Sequence, residues 1–184
     1  MGLIDPPGFR RNRLGQVWLH LPKAERTLMA DLLEQLSEML APDEPSQATP
    51  DPLAELVGIE PSAHRPEDPA LARLFPDAYA DRDLADEFRR FTQRELRDAK
   101  LANLRLASDS LSRAHPTQLT PEECRAWLGA LNDLRLALGT RLGVEEGNDE
   151  EFLDLPEDDP RHVMYLIYDW LTYHQDRLVR ALDR

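Results

Sequence analysis

The chain has 184 residues, 41% of them hydrophobic, and carries 22 Lys and Arg against 35 Asp and Glu, for a net charge of -13. That length and apolar content suit one folded domain with its own hydrophobic core rather than a disordered chain. The negative balance argues against broad binding to nucleic-acid phosphates or anionic membranes, although a local basic patch escapes the argument because electrostatic fields are local.

Cys124 is the sole cysteine, so no internal disulfide forms, which fits a reducing compartment. Met1 to Arg13 places Pro6, Pro7, Arg10 and Arg11 where a secretory leader would need an apolar run. No run approaches the roughly 18 apolar residues of a membrane span. The expectation is a soluble, cytoplasmic protein. Lys23 and Lys100 are the only lysines, an Arg-heavy usage typical of GC-rich bacterial genomes.

Taken in chain order, residues 9–21 read as two short strands around Leu14-Gly15, a β-hairpin that needs helices to pack on. Pro22 suits a helix first turn, and Leu28, Leu32, Leu36 and Met39 form a stripe to about Leu40, flanked by Met29, Leu33 and Leu40. Residues 41–52 are rich in Pro, Asp, Ser and Thr and read as a loop. Two short helices follow, each opened by Asp-Pro: 51–57, stopped by Gly58, and 68–75, stopped by Pro76. The longest helix is expected over about 83–108, with Leu84, Phe88, Phe91, Ala99, Ala102 and Leu106 facing inward.

Thr120-Pro121-Glu122-Glu123 combines an N-cap, a first-turn proline and a capping-box glutamate, and opens a helix carrying Trp127, Leu128, Leu131, Leu134, Leu138 and Leu142. Residues 143–160 hold nine acids and no base, the mark of an exposed acidic loop. Asp159-Pro160 then starts the last helix. The expected fold is mainly all-α: a bundle of about four long helices plus short ones, with a small N-terminal hairpin. It forms one domain over 1–184, divided into hairpin 9–21, helical part 22–142, acidic loop 143–159 and C-terminal helix 160–184.

Signatures of cofactor or metal chemistry are missing from the sequence: it has no Gly-rich phosphate loop, no cysteine pair, no His-Glu-x-x-His and no Gly-x-Ser-x-Gly. No catalytic, cofactor-binding or metal-ligating residue is assigned, and no cofactor is expected. On a wheel of about 100° per residue, Glu95, Arg135 and His174 fall on the apolar arcs of three different helices. Buried charges require partners, so a partly buried Glu95–Arg135 ion pair is expected, joined by His174 or Asn132. Such a network serves packing specificity; a polar active-site cleft is the other reading.

Cys124 lies in a helix first turn, where the dipole lowers a thiol pKa, which makes it the candidate redox thiol. It also lies on the apolar arc, where a cysteine is ordinarily inert packing. Arg10, Arg11 and Arg13 beside Trp18 form a solvated strand face or a small nucleic-acid or partner contact. Tyr165, Tyr168 and Tyr173 lie off the centre of the last helix's apolar face and suit a protein interface, a homodimer included.

The segment Trp127-Leu-Gly-Ala-Leu-Asn-Asp-Leu-Arg-Leu-Ala-Leu-Gly-Thr-Arg-Leu-Gly143 resembles the signature of an actinobacterial family known as domain of unknown function two-thousand-and-seventeen. Asp51-Pro-Leu-Ala-Glu-Leu-Val-Gly58, Asp68-Pro-Ala-Leu-Ala-Arg-Leu-Phe-Pro-Asp-Ala-Tyr79, Glu87-Phe-Arg-Arg90 and Tyr168-Asp-Trp-Leu-Thr-Tyr173 extend it over nearly the whole chain. The resemblance implies a gene beside the adaptor that delivers N-degron substrates to the Clp protease, and for some members a transcriptional regulator's role in oxidative stress. It implies no catalytic residues. A switch made by an internal disulfide needs two cysteines; Cys124 alone leaves an intermolecular disulfide or a sulfenic acid.

The resulting expectation is a non-enzymatic regulatory or adaptor-like protein that binds another protein, with the Clp adaptor or the transcription machinery as candidates. The alternative is a transcriptional regulator, which would need a positive face from the hairpin or from Arg89, Arg90, Arg94, Arg97, Lys100 and Arg105.

Overall fold

A computed structural model describes residues 6–41, 64–153 and 155–183. The expected helix at 51–57 lies outside them. The fold is mainly helical: the described residues form six helices and a small three-stranded antiparallel sheet.

The hairpin forms from β1 (Gly8–Arg11) and β2 (Val17–His20), paired Phe9 to Leu19 and Arg10 to Trp18. Asn12 closes the turn: its Oδ1 accepts from the backbone N–H of Leu14 and of Gln16, and Gly15 takes a positive φ. Alternation sends Phe9, Val17 and Leu19 into the core. The sequence reading ended the sheet there. In the structure a third strand, β3 (Thr117–Leu119), pairs with β2 and covers its free edge. Three residues are too few to display alternation, so this strand had no readable signal.

Helix α1 (Lys23–Leu40) buries Met29, Leu33, Leu36 and Leu40. Its inward face is therefore rotated from the stripe expected at Leu28, Leu32 and Met39, which are only partly buried. In α2 (Pro69–Leu74) the Asp68 carboxylate accepts from the N–H groups of Ala70 and Leu71. Asp81 caps the long helix α3 (Arg82–Ser112) in the same way.

Helix α4 (Pro121–Leu142) opens with the expected capping box, Thr120 and Glu123 serving each other's N–H groups. It ends at Gly143, whose left-handed conformation (φ 74°) favours glycine. Its nearly complete burial of Trp127, Ala130 and Leu131 makes α4 the central element, packed by α2, α3 and the C-terminal helix. The acidic segment is not wholly a loop. It contains α5 (Asp149–Leu153), anchored by buried Phe152 stacked on Tyr165 at 5.2 Å. The last helix, α6 (Pro160–Leu182), is capped by Asp159 and packs on α4 and on β1.

Candidate functional site

The structure does not bring the four expected network residues together. Glu95 and Asn132 are exposed, and neither touches Arg135. Arg135 is partly buried and donates instead to three neutral oxygens of α6: Thr172 Oγ1 at 2.9 Å, Tyr168 OH at 3.3 Å and Gln175 Oε1. Its guanidinium also lies 5.2 Å from the centre of the Tyr168 ring. Glu95 was placed inside because it shares a wheel position with Phe88 and Phe91. Those two phenylalanines are themselves outside, and the glutamate follows them.

Different residues hold the buried charges. Arg89 on α3 is almost fully buried; it donates to the Phe75 carbonyl oxygen at 3.0 Å, to Gln93 Oε1 at 3.2 Å and to Asp77 at 2.5 Å. This ties α3 to the segment that follows α2. Lys100 Nζ donates to Asp133 Oδ1 at 2.7 Å, joining α3 to α4 within the core. Burial pushes the Asp133 carboxyl up, and the Lys100 ammonium pulls the other way. The partners are separated by 33 residues for Lys100 and Asp133, which is why no local pattern announced them.

His174 is wholly buried, with Phe9, Trp170 and Tyr173 set edge-on around its ring. Neither ring nitrogen has a hydrogen-bond partner among the described residues. Glu25 Oε2 on α1 lies 3.6 Å from Nε2, beyond hydrogen-bond reach, and accepts from the Trp170 indole N–H at 3.3 Å. Glu25 would favour a charged imidazole, but burial outweighs it, and Arg177 adds to burial; the pKa is pushed down to about 4. The histidine is a neutral core residue at physiological pH. Gly8 makes room for it: a Cβ there would lie 3.0 Å from His174 Nδ1.

Cys124 is buried in the first turn of α4. Burial pushes its thiol up, Glu123 pushes the same way and Arg125 opposes them. Desolvation therefore works against the helix dipole, and the buried sulfur packs in the core in this conformation.

A cleft of about 660 Å³ opens between α2, α4 and α6, with Arg135, Tyr168 and Gly139 among its walls. It carries Arg73, Glu145 and Glu146 at its edge but no nucleophile paired with a base. Among the described residues, no group of three or more His, Cys, Asp or Glu side chains is arranged to hold a metal ion. No helix among the described residues is long and apolar enough to cross a membrane.

Two surfaces stand out instead. The first is the outward face of α3, where Leu84 (51% exposed), Phe88 (43%) and Phe91 (53%) follow one another at helical spacing. The stripe expected to face the core thus exists but points to solvent; Ala85, Arg89, Gln93, Leu104 and Ala107 form the buried side. Beside it runs a groove of about 430 Å³ between Phe75, Pro76, Phe88 and Leu96. The second is a stripe on α6 made by Val163, Leu166, partly buried Trp170 and Tyr173. Exposed Leu153 of α5 belongs to the same end, since Phe152 stacks on Tyr165. The acids Glu157, Asp158 and Asp169 toward its N-terminal end are exposed, and at the other end Arg177 lies over the Tyr173 ring at 5.8 Å.

The basic face of α3 that direct DNA binding would need is consumed only in part, since Arg94 and Arg105 stay exposed. Arg89 and Lys100 are turned inward into ion pairs, and Arg97 lies over the Phe75 ring at 5.5 Å.

The sequence model of the family described as Domain of unknown function (DUF2017) matches residues 6–182, and the chain belongs to that family. Among curated proteins, those named oxidative stress regulator AosR from Mycobacterium tuberculosis (strain ATCC 25618 / H37Rv) and Mycobacterium bovis are similar to it. Each is 33% identical over 198 residues, covering 97% of this chain and 84% of the relative. No solved structure matches the chain significantly.

Proposed function

We propose that this DUF2017 protein is a non-enzymatic regulator of the oxidative-stress response that acts by binding another protein through the outer stripe of α6. The observation that carries the reading is that stripe: Val163 and Leu166 stand exposed on the outer face of α6, with the exposed acids Glu157, Asp158 and Asp169 toward its N-terminal end and Arg177 over the Tyr173 ring at the other. An apolar centre with a polar rim is the anatomy of a protein contact, and the acids at its N-terminal end favour a partner that is basic where it meets them. The relatives named as oxidative stress regulators support the regulatory part. The cleft at Arg135 supports a structural role, because Thr172, Tyr168 and Gln175 already use its guanidinium.

The test is affinity capture from host lysate with nuclease added, comparing the wild-type chain with Leu166→Glu. The expected result is a defined, nuclease-resistant partner that the variant loses while its circular dichroism is unchanged. Equal recovery by both proteins, or recovery that nuclease abolishes, would overturn the reading. The second outcome would favour a regulator working on DNA.

A further inference from the structure

The outward stripe of α3 is a surface separate from that of α6, and its own residues say what covers it. Leu84, Phe88 and Phe91 are spaced by four and three residues, the spacing of a helix-pairing seam, and Glu95 continues it. Together with Tyr79, whose ring packs edge-on against Phe88 at 5.7 Å, and Leu96, they leave roughly 400 Å² of apolar surface in water. The acids Asp81 and Asp98 bracket the tract and fix its length.

One flank of the seam carries Glu87 and Arg94, both exposed and neither engaged in an ion pair among the described residues. The opposite flank presents Thr92 and Ala99, which carry no charge. We infer that the occupant of this seam is α3 of a second copy of the chain, running antiparallel. A two-fold axis perpendicular to the two helices sets Phe88 against Phe91 of the second copy and Leu84 against its Glu95. It also brings the charged flanks to the same side, so that Glu87 meets Arg94 of the second copy and Arg94 meets its Glu87. A parallel pair would do the reverse: Glu95 would face Glu95, and the charged flank would meet the uncharged one. Charge and apolar pattern therefore select the same arrangement.

Two such surfaces bury about 800 Å² of apolar area in total, below the range of stable complexes, so the dimer is weak and forms and dissociates with concentration. Sedimentation velocity on the full chain from about 1 to about 300 µM tests this. The mass is expected to rise from 21.1 kDa toward twice that value. Phe88→Glu should hold it at the monomer value with an unchanged melting curve, because the ring is exposed. Glu87→Arg alone and Arg94→Glu alone should each weaken association by about tenfold, and the two together should restore it. A chain that stays monomeric throughout would overturn the inference. So would a dimer indifferent to Phe88→Glu, or a double reversal no better than either single one. The α6 reading survives any of these results, since its test uses a different helix.

Discussion

His174→Gln examines the heart of the fold through its pH dependence. In the folded chain the imidazole is pushed from its ordinary 6.5 down to about 4, by burial first and Arg177 second. A folded pKa below the unfolded one means that the unfolded chain binds the extra proton between those two values. Stability contributed by the neutral ring is complete above pH 6.5, falls as pH drops, and levels off below about pH 4. Lowering the pH from about 7.5 to 5 should cost about 2 kcal/mol through this residue, and the whole passage about 3 kcal/mol. The assay is urea unfolding of wild type and variant at both pH values. Carboxylates titrate in both chains, as does His115, whose pKa burial also lowers, so they cancel in the difference. Wild-type stability relative to the variant should shrink by about 2 kcal/mol at the lower pH. Parallel curves would refute the picture of a neutral histidine sealed among Phe9, Trp170 and Tyr173.

Three further outcomes follow from the core. The Trp127 indole N–H donates to Ser110 Oγ at 2.7 Å with both residues buried, so Trp127→Phe should cost about 2–3 kcal/mol. A double-mutant cycle with Ser110→Ala should show positive coupling of about 1 kcal/mol in chemical unfolding. Lys100→Met should destabilise by about 3–5 kcal/mol because it strands the buried Asp133 carboxylate, and adding Asp133→Leu should recover much of that loss. Cys124 in the native chain should react with Ellman's reagent at least about a hundredfold more slowly than in denaturant. Equal rates would show that the sulfur is open to oxidants.

Helix ends were the legible part of this fold. Asp68, Thr120 and Asp159 each stand where a side chain must accept orphan N–H groups, and each does so, whereas the Asp81 cap of α3 lies two residues before the start expected for that helix. Apolar periodicity along α3 also exists as read, but a pattern reports that a helix has two faces without saying which one is covered. In α3 the covered face contains Arg89 and Gln93. Its burial is made affordable by Asp77 and a backbone carbonyl of Phe75, partners that only the tertiary fold supplies. Glu95 was misplaced for the same reason, whereas His174 is buried where its wheel position puts it. Cys124 shows the other side: its place on the apolar arc announced the burial that the structure shows.

The most direct measurement of the central claim is complementation of a host lacking this gene, scored as survival under peroxide. The account predicts that the wild-type chain and Cys124→Ala restore survival while Leu166→Glu, expressed to the same level, does not. Full rescue by Leu166→Glu, or loss of rescue with Cys124→Ala alone, would contradict a regulator that works through the α6 surface.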